Sequence, residues 1–167
     1  MTEGLNALSE TDAREVLAKC CGAKRWVAGV LLARPYQNRG ALNTAAQTVW
    51  SKMDRADILE AFEHHPRIGA DLDALRKKFS KTAGLSEAEQ SSVASASEST
   101  LIALRDANKR YETRYGHIFI VCATGKSAAE MLAILESRMN NEIDAELKIA
   151  ANEQAKITQL RLEKIVL

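Results

Sequence analysis

Along most of this chain apolar residues recur three or four positions apart rather than in alternation, the spacing that lines one face of an α-helix. Ser9 or Thr11 can cap a helix through Val16 and Leu17, and a second apolar stretch from Trp26 to Leu32 stops at Pro35. Asn38 to Gly40 reads as a loop. Helices over Leu42 to Met53 and Ala56 to Glu63 follow, the second ending at Pro66 because proline disfavours helical geometry in the residue before it. Residues 67 to 85 form a long connection holding a short helix from Asp71 to Phe79. From Ser86 to Arg114 one long helix places Val93, Leu101, Leu104 and Tyr111 on one side, and Gly116 ends it. Ile118 to Cys122 is an apolar run, extended or simply buried. Ser127 opens a helix striped by Ala128, Met131, Leu132, Leu135 and Met139, and the last helix, Glu142 to Lys164, buries Ile143, Leu147, Ala150, Ile157 and Leu160. With only two prolines and eight glycines to interrupt it, the pattern predicts an all-α bundle of about eight to nine helices.

The chain has 167 residues, 46% of them apolar, enough for one compact core, so a single domain over 1–167 is expected. A formal charge of +1 gives no electrostatic footprint for nucleic acid or an anionic membrane surface. No apolar run reaches bilayer-spanning length, and the first ten residues lack the regions of a signal peptide. The end, Ile165-Val166-Leu167, is not a peroxisomal Ser-Lys-Leu address. Three cysteines, two adjacent at Cys20 and Cys21, fit core thiols in a reducing cytoplasm better than a disulfide framework.

Three places carry candidate chemistry. His65 leaves a helix directly before Pro66, in the run His64-His65-Pro66-Arg67-Ile68-Gly69, so its imidazole, the side chain whose unperturbed pKa lies nearest neutrality, is displayed from a stiffened turn. The structural alternative is that His64 or His65 caps the helix end. Ser86-x-x-Glu89-Gln90 has the spacing of a capping box, and the same helix start presents N–H groups to a small polar or anionic ligand. Gln90 adds an amide suited to a ureido or lactam edge. Arg161, beside Leu160 and four residues after Ile157, projects near the buried edge of the last helix. There it either pairs with an internal carboxylate or grips a ligand's carboxylate or carbonyl. His64 and His117 read as surface or packing residues, and no further ligand stands at zinc spacing from the His-His pair, so no metal is expected. Thr124-Gly125-Lys126-Ser127 lacks the first glycine of a phosphate loop, since position 120 is isoleucine.

These residues, with Tyr115-Gly116-x-x-Phe119-Ile120-Val121-Cys122-Ala123 and Glu153-Gln154-x-Lys156-Ile157-x-x-Leu160-Arg161-Leu162, make the chain resemble the 2-oxo-4-hydroxy-4-carboxy-5-ureidoimidazoline (OHCU) decarboxylases. Those enzymes complete the conversion of urate to allantoin. In order and spacing the motifs run from Leu8 to Ile165. The resemblance implies a helical fold with an active-site cleft, catalysis without metal or organic cofactor, a small ureidoimidazoline substrate and a homodimer. By motif match His65 is the catalytic acid or base and Glu89 its carboxylate companion. Ser86, Glu87, Gln90 and Arg161 become substrate ligands, and Pro66 with Ile118, Phe119, Ile120, Val121 and Cys122 line the pocket. One departure stands out: many relatives read aromatic-Pro-Phe where this chain has His117-Ile118-Phe119. Two other readings stand beside it: a helical binding or adaptor domain in which His65 and Arg161 are structural, and a ureide hydrolase that uses the same residues with water as nucleophile.

Overall fold

The computed structural model describes residues 4–67, 71–79 and 87–167, with side chains throughout except over 87–97. Among the described residues are eight α-helices and no strand: α1 (Glu10–Cys20), α2 (Lys24–Leu32), α3 (Arg39–Trp50), α4 (Arg55–Glu63), α5 (Leu72–Lys78), α6 (Glu87–Tyr115), α7 (Ala128–Arg138) and α8 (Ile143–Leu162). They gather into two compact units, Met1–His65 with Ile149–Leu167, and Pro66–Lys148. No described helix is long and apolar enough to cross a membrane.

The first unit is built on α1 to α4 and the end of α8. Leu5, Leu17, Trp26, Val30, Leu42 and Leu162 are almost wholly buried in its core, each contributing about 1.5–3 kcal/mol of transfer free energy. Both indoles are tied down, Trp26 Nε1 donating to the Ala46 carbonyl at 3.1 Å and Trp50 Nε1 to that of Ala151 at 3.2 Å. Helix starts are set by side-chain caps: Ser9 on α1, Asn38 on α3, and on α4 a reciprocal box between Asp54 and Asp57. At the C-terminal end of α8 the Arg39 guanidinium donates to the carbonyls of Leu162 and Ile165, where a helix terminus runs short of backbone donors. Leu5 N–H donates to the Val166 carbonyl at 2.7 Å.

The second unit holds α5, α6, α7 and the beginning of α8. Leu101, Leu104 and Tyr111 are buried on one side of α6, and Ala128, Met131 and Leu135 on α7, the faces their spacing predicts. Gly116, at φ +74°, takes the left-handed turn that ends α6. The run after it is buried without being a strand: Phe119, Ile120 and Val121 are each 3% exposed or less. What holds it is polar. Arg138 on α7 donates to the Ile120 carbonyl at 2.8 Å and pairs with Glu146 on α8, whose carboxylate also accepts from the Tyr111 hydroxyl at 2.5 Å and from Asn141 at 3.0 Å.

Two expectations need correction. The segment 38–40 is not all loop: Asn38 Oδ1 accepts from Ala41 N–H, so α3 begins at Arg39. Of the expected stripe of α8, Ala150 is buried and Leu147 and Ile157 are partly buried, but Ile143 is 49% and Leu160 37% exposed. Glu146, Gln154 and Thr158 are buried in their stead, each with hydrogen-bond partners that offset the loss of water.

Candidate active site

The two histidines at the end of α4 have separate work. His64 is the C-cap residue, its ring Nδ1 on the Glu60 carbonyl at 3.0 Å, so the capping role falls to it. The ring fits there because position 22 is glycine; a Cβ on Gly22 would overlap the imidazole. His65, one residue on, is half-buried and turns its Nε2 to the Gln154 side-chain oxygen on α8.

Gln154, Thr158 and Arg161 stand four and three residues apart, which aligns them on one face of α8. Gln154 is fully buried and its amide nitrogen donates to Thr158 Oγ1 at 3.0 Å. The Thr158 hydroxyl is also hydrogen-bonded to the Cys21 thiol. Arg161 reaches back to the end of α1, one terminal nitrogen lying 3.3 Å from the carbonyls of both Lys19 and Cys20. No carboxylate among the described residues pairs with it. These contacts use one of its three nitrogens, and a guanidinium carries five donors, so as far as the described residues go the rest of the fork can meet an anion or carbonyl.

The charges are arranged consistently. Burial holds the His65 imidazole below a histidine's ordinary value, the bond to Gln154 opposes this, and the positive charges of Arg161 and His64 add to the lowering. At neutral pH the ring is therefore an uncharged base near a fixed cation. Burial pushes the Cys20 and Cys21 thiols up to about 11. They are free, protonated core groups and not nucleophiles. A cavity of about 220 Å³ runs along α8 between Trp26, Ala46, Trp50, Ala155, Thr158 and Leu162, and neither His65 nor Arg161 lines it.

The structure thus brings His65 and Arg161 into one neighbourhood within the first unit. Among the other candidates Pro66 is exposed, Glu87, Glu89 and Gln90 occupy the first turn of α6, and Ser86 lies outside the described residues, so its capping box does too. Ile118 and Cys122 are partly buried at the ends of the Phe119–Val121 run. His117 packs against the rings of Tyr111 and Tyr115, as a packing residue would. Among the described residues no group of three histidines, cysteines or carboxylates is arranged to hold a metal ion. Sequence reasoning quoted Gln154 within a motif without giving it a role and passed over Thr158, although a polar stripe at helical spacing ahead of Arg161 was there to be read.

The family model of OHCU decarboxylase matches residues 6–163. The chain is 37% identical over 148 residues to the uric acid degradation bifunctional protein of Arabidopsis thaliana, covering 87% of this chain and 45% of that protein. It is 25% identical to the bifunctional protein of the same description from Bacillus subtilis, over 98% of this chain and 32% of the relative. It therefore spans less than half the length of these two relatives. Among solved structures it is similar to an OHCU decarboxylase crystallised in the presence of (S)-allantoin, with TM-score 0.71 and 33% identity over 90% of this chain and 96% of that one. An (S)-allantoin synthase shares the fold, with TM-score 0.68 at 16% identity over 95% of this chain and 51% of the other.

Proposed function

The chain belongs to the OHCU decarboxylase family, and on that premise we propose that it decarboxylates 2-oxo-4-hydroxy-4-carboxy-5-ureidoimidazoline to (S)-allantoin, the last step of urate oxidation. The observation that carries the reading is the half-buried His65 imidazole held near the Arg161 guanidinium, which meets no carboxylate among the described residues. The substrate supplies its own electron sink. When the bond to the carboxylate breaks, its electron pair moves toward the adjacent ring C=N, whose nitrogen takes a proton while carbon dioxide leaves. The resulting enol loses its hydroxyl proton, and the carbon bearing the ureido group gains one. Such a sequence asks the protein for orientation, for stabilisation of developing negative charge and for proton exchange on one face, and needs no cofactor.

His65 takes the hydroxyl proton and Glu89 is its companion in reprotonating the ring. Arg161, with Ser86, Glu87 and Gln90, grips the carboxylate, ureido and lactam groups, while Pro66 and the run Ile118, Phe119, Ile120, Val121 and Cys122 give the pocket its shape. The enzyme works in the cytoplasm as a homodimer, and neither nucleic acid nor membrane is a partner.

The test follows freshly generated urate-oxidation intermediate by circular dichroism while carbon dioxide is trapped. The expected result is faster appearance of one optical isomer with one carbon dioxide per allantoin. An unchanged spontaneous rate overturns the reading, and product without carbon dioxide points to hydrolysis. Binding gives a second measurement. Allantoin at 100 times its Kd should stabilise the native protein by about 2.7 kcal/mol, and this thermal shift should vanish in Arg161→Ala; a shift that survives the substitution removes Arg161 from the site.

A further inference from the structure

We propose that Gln154 is a positioning residue that holds His65 in the tautomer protonated at Nε2, leaving Nδ1 as the ring atom that exchanges the proton with substrate. The assignment of Nδ1 to the substrate rests on the function given above for His65; the tautomer itself rests on geometry alone.

A carboxamide oxygen has no hydrogen to give. Its bond to His65 Nε2 exists only if that nitrogen carries the proton. Behind it the amide nitrogen donates to Thr158 Oγ1, and the Thr158 hydroxyl is itself hydrogen-bonded with the Cys21 thiol. The relay therefore has one direction, from His65 to Gln154 and from Gln154 to Thr158, inside a unit where Gln154 has no exposure to water that could scramble it. Among the described residues nothing bonds to His65 Nδ1. Because Oε1 accepts from Nε2 whether the ring is neutral or charged, a proton can arrive at Nδ1 and leave again without reorganising the relay. Burial and the charges of Arg161 and His64 disfavour the imidazolium, and the bond to Gln154 opposes them, which keeps both forms within reach.

The other histidines supply internal controls. His64 and His117 each present Nδ1 to a carbonyl, Glu60 at 3.0 Å and Ile118 at 2.9 Å, so both carry the proton on Nδ1, the reverse of His65. With three histidines in the chain, ¹⁵N-histidine NMR of the whole protein in alkaline solution, where imidazoles are neutral, can read each ring. The expected result is a protonated Nε2 and a bare Nδ1 for His65, with Nδ1 protonated in the other two. In Gln154→Met the His65 nitrogens should move toward the averaged shifts of mixed tautomers, and kcat should fall by about 10²-fold with KM little changed. Gln154→Glu, which keeps the acceptor, should keep the Nε2–H signature and move the His65 titration to higher pH. A wild-type His65 protonated on Nδ1, or a tautomer indifferent to Gln154→Met, overturns the proposal. The expected signature together with absent decarboxylation overturns the function instead and leaves the tautomer assigned.

Discussion

Replacing His65 by asparagine is expected to slow enzymatic allantoin formation by about 10²- to 10⁴-fold, the usual contribution of a positioned acid–base group, while the far-ultraviolet circular dichroism stays that of the folded chain. Near-normal turnover in this variant would remove His65 from the chemistry. The pH profile carries the same information. Since burial and two neighbouring cations depress the His65 pKa and the neutral ring is the working base, the rate should climb with pH along a limb lying below the ordinary histidine value of about 6.5. That limb should be missing from His65→Asn. Stability follows the same sign. The folded pKa is depressed, so the unfolded chain takes up this proton first as the solution is acidified. The contribution is whole above the unfolded value and lost as pH falls through the folded one. Urea unfolding of wild type and variant across that window should converge toward the acid side.

The second large effect is on stability. Glu146 has no exposure and its guanidinium partner on Arg138 is nearly as buried, so Arg138→Met strands a carboxylate in the core and releases the Ile120 carbonyl. A loss of about 3–5 kcal/mol is expected, because one half of a buried pair costs more alone than the pair contributes together. The double change Arg138→Met with Glu146→Leu should recover much of that loss. Urea midpoints of the three proteins decide it: a single variant within 1 kcal/mol of wild type, taking about 1 kcal/mol as the edge of an ordinary substitution, would mean that water reaches Glu146.

The contrast between α7 and α8 locates what sequence reading can reach. On α7 burial is apolar, so Ala128, Met131 and Leu135 announce the inner face by spacing alone. On α8 the inner face carries Glu146, Gln154 and Thr158. A hydrophobic count sends those residues outward, because their partners, Arg138 on α7, His65 just past α4 and Cys21 just past α1, are far away in the chain. Asn38 is a local case: its turn chemistry suggested a loop, yet the same side chain starts α3. The site divides in the same way. His65 at a stiff helix exit and Arg161 at a buried edge could be picked out from their immediate neighbours, and their common neighbourhood could not. Nor does the order of residues separate the duties of His64 and His65; only the ring contacts do. Arg161 was expected to meet a carboxylate if it served structure, and it meets the carbonyl end of α1, about 140 positions earlier in the chain.

The bond between Leu5 and Val166 holds the two outer ends of the first unit's segments side by side. A module wired in that manner can be spliced into a longer polypeptide, or have its ends joined and be reopened at an exposed turn, without pulling apart the helices that carry His65 and Arg161.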